Sequence, residues 1–208
     1  MVRRQDTGRG HVLVALGLAV GALLLPVSRA WAGVLRPSVL LISIDTLRPD
    51  HLGRYGYPRP TDTILSQRTD DFVQFLNAYT SMPLTLPAHT SMMTGQLPLA
   101  LGLFNNHQRL PVPGLRRSLL AEILVESGYR TAAVVSSPVL ASSTGFDSGF
   151  QQYLEPALEA RPAVLTAEQV NERAAGVLES GAGPLFLFVH YYDVHEPFSF
   201  PDRYGCWL

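Results

Sequence analysis

Three groups of side chains in this sequence are of types that do chemistry. The first is Thr85, inside the stretch Thr80-Ser-Met-Pro-Leu-Thr-Leu-Pro-Ala-His-Thr-Ser-Met-Met-Thr-Gly95. Pro87 suits the first turn of a helix, where its missing N–H costs nothing, and Gly95 suits the left-handed residue just past a helix end. Thr85 then stands at the N-cap or one residue from it, among free N–H groups and the positive end of the helix dipole. A hydroxyl so placed can attack a phosphorus or sulfur ester, or lie beside a bound anion; equally, it can cap the helix and do nothing more. The second is Asp45, which follows an apolar run and either holds a metal or caps the turn it begins. The third is the cluster His190, Asp193 and His195. A histidine such as His195 can donate to a non-bridging ester oxygen or protonate a leaving group, or serve a backbone carbonyl as an ordinary loop histidine.

The elements that must position these groups are legible from periodicity. Residues 38–44 form a short apolar, β-rich run of the kind found in buried parallel strands, with Asp45 at its C-terminal end. The spacing predicts a helix over residues 61–77, with Ile64, Leu65, Phe72, Phe75 and Leu76 in the core. A second amphipathic helix is predicted over 118–127, with Leu119, Leu120, Ile123 and Leu124 facing inward and Gly128 as its stop. Residues 131–135 read as a strand, 136–150 as loop, 166–180 as a helix capped by Thr166, and 185–191 as a third buried strand. The order strand, helix, helix, strand, helix, strand predicts an α/β layer sandwich. Asp45, Thr85 and the His190/Asp193/His195 cluster all fall at the carboxyl edge of its parallel sheet, where open α/β sheets bind ligands. One divalent cation (Ca, Mg or Zn) held by Asp45 and the Thr85 oxygen would lower the hydroxyl's pKa and offset an ester's charge.

Composition narrows the possibilities. The chain has 208 residues, 47% of them hydrophobic and 16% charged, which describes one globular domain. Its net charge of −1 gives no electrostatic footprint for nucleic acid. All 16 basic residues are arginine, so no step can rely on a lysine of this chain. At the N-terminus, Arg3, Arg4 and Arg9 precede an apolar run over 12–25, and Ala30-Trp31-Ala32 supplies a small-x-small cleavage pattern. The run is shorter than the ~20 residues of a membrane span, so residues 1–32 read as a signal peptide and 33–208 as an exported, periplasmic or extracellular domain. A membrane attachment follows only if that N-terminal helix stays uncleaved. Cys206 is the lone cysteine and offers no internal disulfide.

Three ordered motifs together resemble the sulfatase family of the alkaline phosphatase superfamily. They are Val39-Leu-Leu-Ile-Ser-Ile-Asp45-Thr-Leu-Arg-Pro-Asp-His-Leu-Gly53, Pro83-Leu-Thr85-Leu-Pro87-Ala-His89-Thr-Ser-Met-Met-Thr-Gly95 and Phe188-Val-His190-Tyr-Tyr-Asp193-Val-His195-Glu-Pro-Phe198. The resemblance implies an alkaline-phosphatase-like three-layer α/β sandwich with a mostly parallel sheet and a divalent metal at its carboxyl edge. It further implies that Asp45 is a metal ligand, that Thr85 holds the nucleophile position and bears on the metal, and that His195 meets a small anionic ester substrate. His89 stands where the family motif Cys/Ser-x-Pro-x-Arg has its arginine, and is thereby a substrate-binding position. Type sulfatases convert the Cys or Ser to formylglycine; threonine, with a methyl on Cβ, cannot become that aldehyde, so no formylglycine is expected at Thr85. Thr-x-Pro-x-His is more similar to relatives that use threonine directly on phosphorus. Thr46 stands where the family has a second acidic ligand, and no Lys-x-His pair occurs over 131–138. The family continues to a later Asp-His or Asp-Asn segment, whereas this chain ends at Cys206-Trp-Leu208. The expectation is therefore the N-terminal part of a sulfatase-like hydrolase of sulfate or phosphate esters, its metal site incomplete and its sheet edge bare. A threonine-nucleophile phosphodiesterase or phosphotransferase, or a remnant that binds anions only, are the alternatives.

Overall fold

Four strands lie parallel in one sheet in the computed structural model, which describes residues 36–67, 73–110, 119–157, 159, 163–196 and 198. The signal-peptide reading of 1–32, Phe72, Ser118 and Cys206 fall outside the described residues. Strand β1 (Val39–Ile44) leads to a short helix α1 (Thr63–Gln67) and then to α2 (Thr85–Thr94). Helix α3 (Leu120–Glu126) precedes β2 (Arg130–Val135) and β3 (Gln152–Leu154), and α4 (Ala167–Glu179) precedes β4 (Leu185–Tyr191). The spatial order is β1-β4-β2-β3, so the last strand inserts between the first two.

The layers follow from the period-2 alternation of β4. Phe186, Phe188 and His190 face one side; Phe186 and Phe188 pack there with Leu86 and Met93 of α2, Leu119, Ala121 of α3 and Phe146. Leu185, Leu187 and Val189 face the other, against Val170, Ala174 and Val177 of α4. Both faces of the central strands are thus covered, which is why residues 185–191 read as a continuous apolar run. Helix α4 begins as its sequence suggests: the Thr166 hydroxyl accepts from the Gln169 N–H, and the Gln169 side chain returns to the Thr166 N–H. The three-layer α/β architecture agrees with the sequence expectation.

Five local expectations are corrected. The helix expected over 61–77 is helical only at 63–67, and residues 73–80 are irregular. Ile64, Leu65, Phe75 and Leu76, expected in the core, are exposed, Ile64 by 74% and Leu76 by 76%. Their 3.6-residue spacing is too imperfect to close an apolar stripe. Ile123, expected inward, is exposed, while Leu119 is buried. Strand β3 has no counterpart in the sequence reading; three residues (Gln-Tyr-Leu) are too few to show a period, and pairing with Ala132–Val134 creates the strand. Among the described residues β1 is an edge strand, and Leu40 and Ile42 on it are each 52% exposed, so the run read from the sequence as a buried strand is not buried.

Candidate active site

Strands β1 and β4 set the site's frame. They run in parallel register with Ser43 beside His190 and Ile44 beside Tyr191, and the Asp45 N–H donates to the Tyr191 carbonyl at 2.9 Å. Both chains therefore leave the sheet at one edge, with Asp45 at its lip. Helix α2 brings the partner. Leu84 in extended conformation is its N-cap, Thr85 its first residue, and Gly95 (φ 67°) ends it in the left-handed region. The Thr85 Oγ1 donates to Asp45 Oδ2 at 3.0 Å, and both residues are buried.

A histidine meets the same carboxylate oxygen, but it is His190. Its ring is wholly buried, with Nε2 3.4 Å from Asp45 Oδ2 and neither ring nitrogen in a hydrogen bond. Burial pushes the Asp45 carboxyl up, but the pull of His190 and then of Thr85 outweighs it, and the carboxyl lies below its ordinary value. Asp193, from the same cluster, instead accepts the Ala167 N–H at 2.8 Å and ties the start of α4 to the sheet edge.

His195 lies on the loop leaving β4. Its Nδ1–H donates to the Glu196 carbonyl at 2.6 Å, the carbonyl role open to any loop histidine, and its ring stacks on Tyr192 at 4.2 Å. Burial and Asp45 both push the Tyr192 phenol up, which places that stack beside the carboxylate's field. His195 also lines a cleft of about 540 Å³ with Thr46, Leu47, Arg48, His51 and Glu196. Thr46, the neighbour of Asp45, has φ 56°, a costly region for a β-branched residue, and its Oγ1 donates to the Val194 carbonyl at 3.2 Å. That bond ties the exit of β1 to the loop that carries His195.

His89 is 5% exposed, and both of its ring nitrogens are engaged. Nδ1 meets the Thr85 carbonyl at 2.7 Å and Nε2 meets Ser43 Oγ at 2.8 Å. Burial, together with His190 beside it (ring centroids 5.0 Å apart), pushes His89 down to about 4, against the opposing pulls of the Thr85 carbonyl and Asp45. At neutral pH it is an uncharged imidazole. The N–H groups of α2 are not all free either: the Leu86 N–H donates to Asn106 Oδ1 at 3.0 Å. This corrects the open helix terminus expected from the sequence, since a loop twenty residues on supplies the acceptor.

Asp45 Oδ2, Thr85 Oγ1 and His190 Nε2 are the donors gathered here. Two oxygens 3.0 Å apart match neighbouring vertices around a cation that each touches at about 2.1 Å. An orphaned, buried imidazole nitrogen lies beside them, and carboxylate, hydroxyl and imidazole together suit Zn. Among the described residues no group of three His, Cys, Asp or Glu side chains gathers for a metal.

Residues 37–206 match the family described as Sulfatase. The chain belongs to the sulfatase family. It is 26% identical to human iduronate 2-sulfatase over 95% of its own length and 42% of that protein's. Its fold is similar to the C-terminal periplasmic domain of EcEptC from Escherichia coli, with TM-score 0.66 and 19% identity over 85% of this chain and 49% of the other; that domain is also known in complex with Zn. It is similar too to the phosphonate monoester hydrolase of Agrobacterium radiobacter, with TM-score 0.66 and 21% identity over 82% of this chain and 43% of the other. The chain therefore spans less than half the length of each of these proteins.

Within this family member, sequence reasoning singled out Asp45, Thr85, His89 and His195, placed His190 in the polar cluster at the sheet's carboxyl edge without a role of its own, and gave none to Ser43 or Asn106. For His190 a signal existed: alternation along β4 puts it on the face of Phe186 and Phe188, toward α2. Ser43 and Asn106 gave none, since a strand serine and a loop asparagine acquire meaning only from register and from loop closure.

Proposed function

We propose that this sulfatase-family chain carries a metal-dependent ester-hydrolysing site in which Thr85 Oγ1 is the nucleophile, and that phosphate esters suit it better than sulfate esters. The observation that carries the proposal is the 3.0 Å hydrogen bond from Thr85 Oγ1 to Asp45 Oδ2 at the first residue of α2. A lone threonine that merely capped a helix would turn its hydroxyl to the helix N–H groups; here that work falls to Asn106. Threonine cannot be oxidised to an aldehyde, so the direct route is in-line attack, forming the Oγ1–P bond as the bond to the leaving alcohol breaks. Asp45 Oδ2, already in contact, orients the hydroxyl, and the proton lost from Oγ1 is balanced by the one gained by the leaving alcohol. Water then hydrolyses the phosphothreonine and restores the hydroxyl. A divalent cation held by Asp45, Thr85 and His190 would lower the pKa of the hydroxyl and offset the ester's negative charge. His195 and Arg48, lining the cleft beside Thr46, would bind the ester's outer oxygens and leaving group. Relatives that act on sulfate and phosphonate esters, and one neighbour that binds Zn, support the reading. We place the chain outside the cytoplasm, as its N-terminal pattern suggests and as one periplasmic neighbour supports.

The test is the purified protein with added Zn, Mg, Mn or Ca, assayed on a chromogenic phosphodiester, phosphate monoester and sulfate ester. Phosphodiester turnover lost in Thr85→Ala and kept in Thr85→Ser supports the assignment. Turnover undiminished in Thr85→Ala removes Thr85 from the mechanism. A second reading, anion binding without turnover, is favoured by the small number of donors gathered among the described residues; phosphate binding with no activity on any of the three esters would select it.

A further inference from the structure

Ser43, His89 and the Thr85 carbonyl form one continuous chain of hydrogen bonds, half-buried at Ser43 and buried at His89, that the ester chemistry above does not use. A backbone carbonyl only accepts, so the proton of the His89 ring must sit on Nδ1, pointing at Thr85. Nε2 then has only a lone pair, and it accepts from the Ser43 hydroxyl at 2.8 Å. The order is Ser43 O–H to His89 Nε2, His89 Nδ1–H to Thr85 C=O. In outline this is a serine–histidine dyad, but it is not built for attack. Ser43 lies inside β1, and the imidazole packed edge-on between Phe146 and Phe188 (centroids 6.4 and 6.0 Å) is a poor base in that apolar setting.

What the chain of bonds does touch is the peptide group of Thr85. We propose that Ser43 and His89 are positioning residues: they hold the Thr85 peptide group in one orientation and so aim its Oγ1 at Asp45. The inference rests on the assignment of Thr85 as nucleophile and adds what orients it. Strand register makes the aim rigid, because Ser43 sits on β1 two residues before Asp45. The bond that carries the carboxylate and the bond that orients the hydroxyl thus share one strand. The same reasoning takes His89 out of substrate contact: with both nitrogens committed and the ring 5% exposed, it has nothing left to offer an ester.

The experiment pairs a spectroscopic readout with kinetics. In ¹⁵N,¹³C-labelled wild-type protein, long-range ¹H–¹⁵N correlation of the His89 ring is expected to show Nδ1 protonated and Nε2 bare, and Ser43→Ala to shift only Nε2. An Nε2–H tautomer in the wild type overturns the proposal. His89→Asn keeps a donor at the Nδ1 position, whereas His89→Gln moves the donor to the Nε2 position. The Thr85 carbonyl ¹³C resonance is expected to move upfield in His89→Gln and to stay within the wild-type range in His89→Asn. On the chromogenic phosphodiester, His89→Gln is expected to lower kcat by about ten- to hundredfold with KM little changed, and His89→Asn to restore most of the loss. Equal kcat in the two variants overturns the proposal. Ser43→Ala, at a half-buried site that tolerates the loss of one oxygen, gives a folded variant should the His89 replacements unfold; an unchanged kcat there also counts against the relay. Wild-type protein inactive on every ester would sink the nucleophile assignment alone, since the tautomer and the carbonyl shift decide the positioning without turnover.

Discussion

Thr85 Oγ1 rests 3.0 Å from Asp45 Oδ2 although the two residues come from different elements, one from the first turn of α2 and one from the lip of β1. His190 Nε2 reaches the same oxygen from β4 at 3.4 Å. Three elements therefore converge on one carboxylate oxygen.

If Asp45 and Thr85 share a cation, added metal stabilises the folded state by mass action, about 2.7 kcal/mol at a concentration of 100 times Kd. The melting temperature of the wild type should therefore rise on titration with Zn or Mg. Asp45→Asn should abolish that rise. A metal-dependent shift of the same size in Asp45→Asn would show that the cation binds elsewhere.

Stability should also fall in mild acid through His89. Its folded value is about 4 against an ordinary 6.5. Between those two values the unfolded chain takes up a proton that the folded chain refuses, so lowering the pH drives unfolding. The stability is fully present above 6.5 and is lost as the pH falls toward 4, with an upper bound on the order of 3 kcal/mol. Urea midpoints of the wild type and of His89→Asn, measured at pH 7 and pH 4.5, should converge at the lower pH.

Phe188 is fully buried on β4 and lies within 6.0 Å of the ring of His89 and 5.9 Å of that of Phe146. Phe188→Ala should cost about 3–5 kcal/mol of stability, because it removes a large side chain from a filled core. The hole would also lie against His89. Chemical denaturation measures the first effect, and ring tautomer spectra of His89 the second. A loss below about 1 kcal/mol would mean that the space closes up.

Asn106 caps α2 from a distant loop, accepting the Leu86 N–H. Asn106→Ala should destabilise the protein by about 1 kcal/mol and leave one first-turn N–H open. Opening that N–H should tighten inorganic phosphate at the α2 terminus, as read by calorimetry. Unchanged phosphate affinity would place the anion away from that turn.

Much of this arrangement was determined by the sequence alone, because its causes are local. The apolar runs at 39–44 and 185–191 had to become strands, the second of them buried while the first lies exposed at the sheet edge, and Asp45 had to stand at a strand's end. Pro87 and Gly95 bracketed α2 by what each permits the backbone to do, and so put Thr85 in its first turn. Other features were decided only in three dimensions. Which histidine meets Asp45 depends on β4 inserting between β1 and β2, because that register sets His190 beside Ser43 while His195 leaves with the loop. The tautomer of His89 depends on a carbonyl and a hydroxyl on two different elements. Phe75 and Leu76 were apolar enough for a core, yet both stand exposed. Propensity and spacing act along the chain, whereas register, enclosure and the choice of a hydrogen-bond partner are properties of elements once packed.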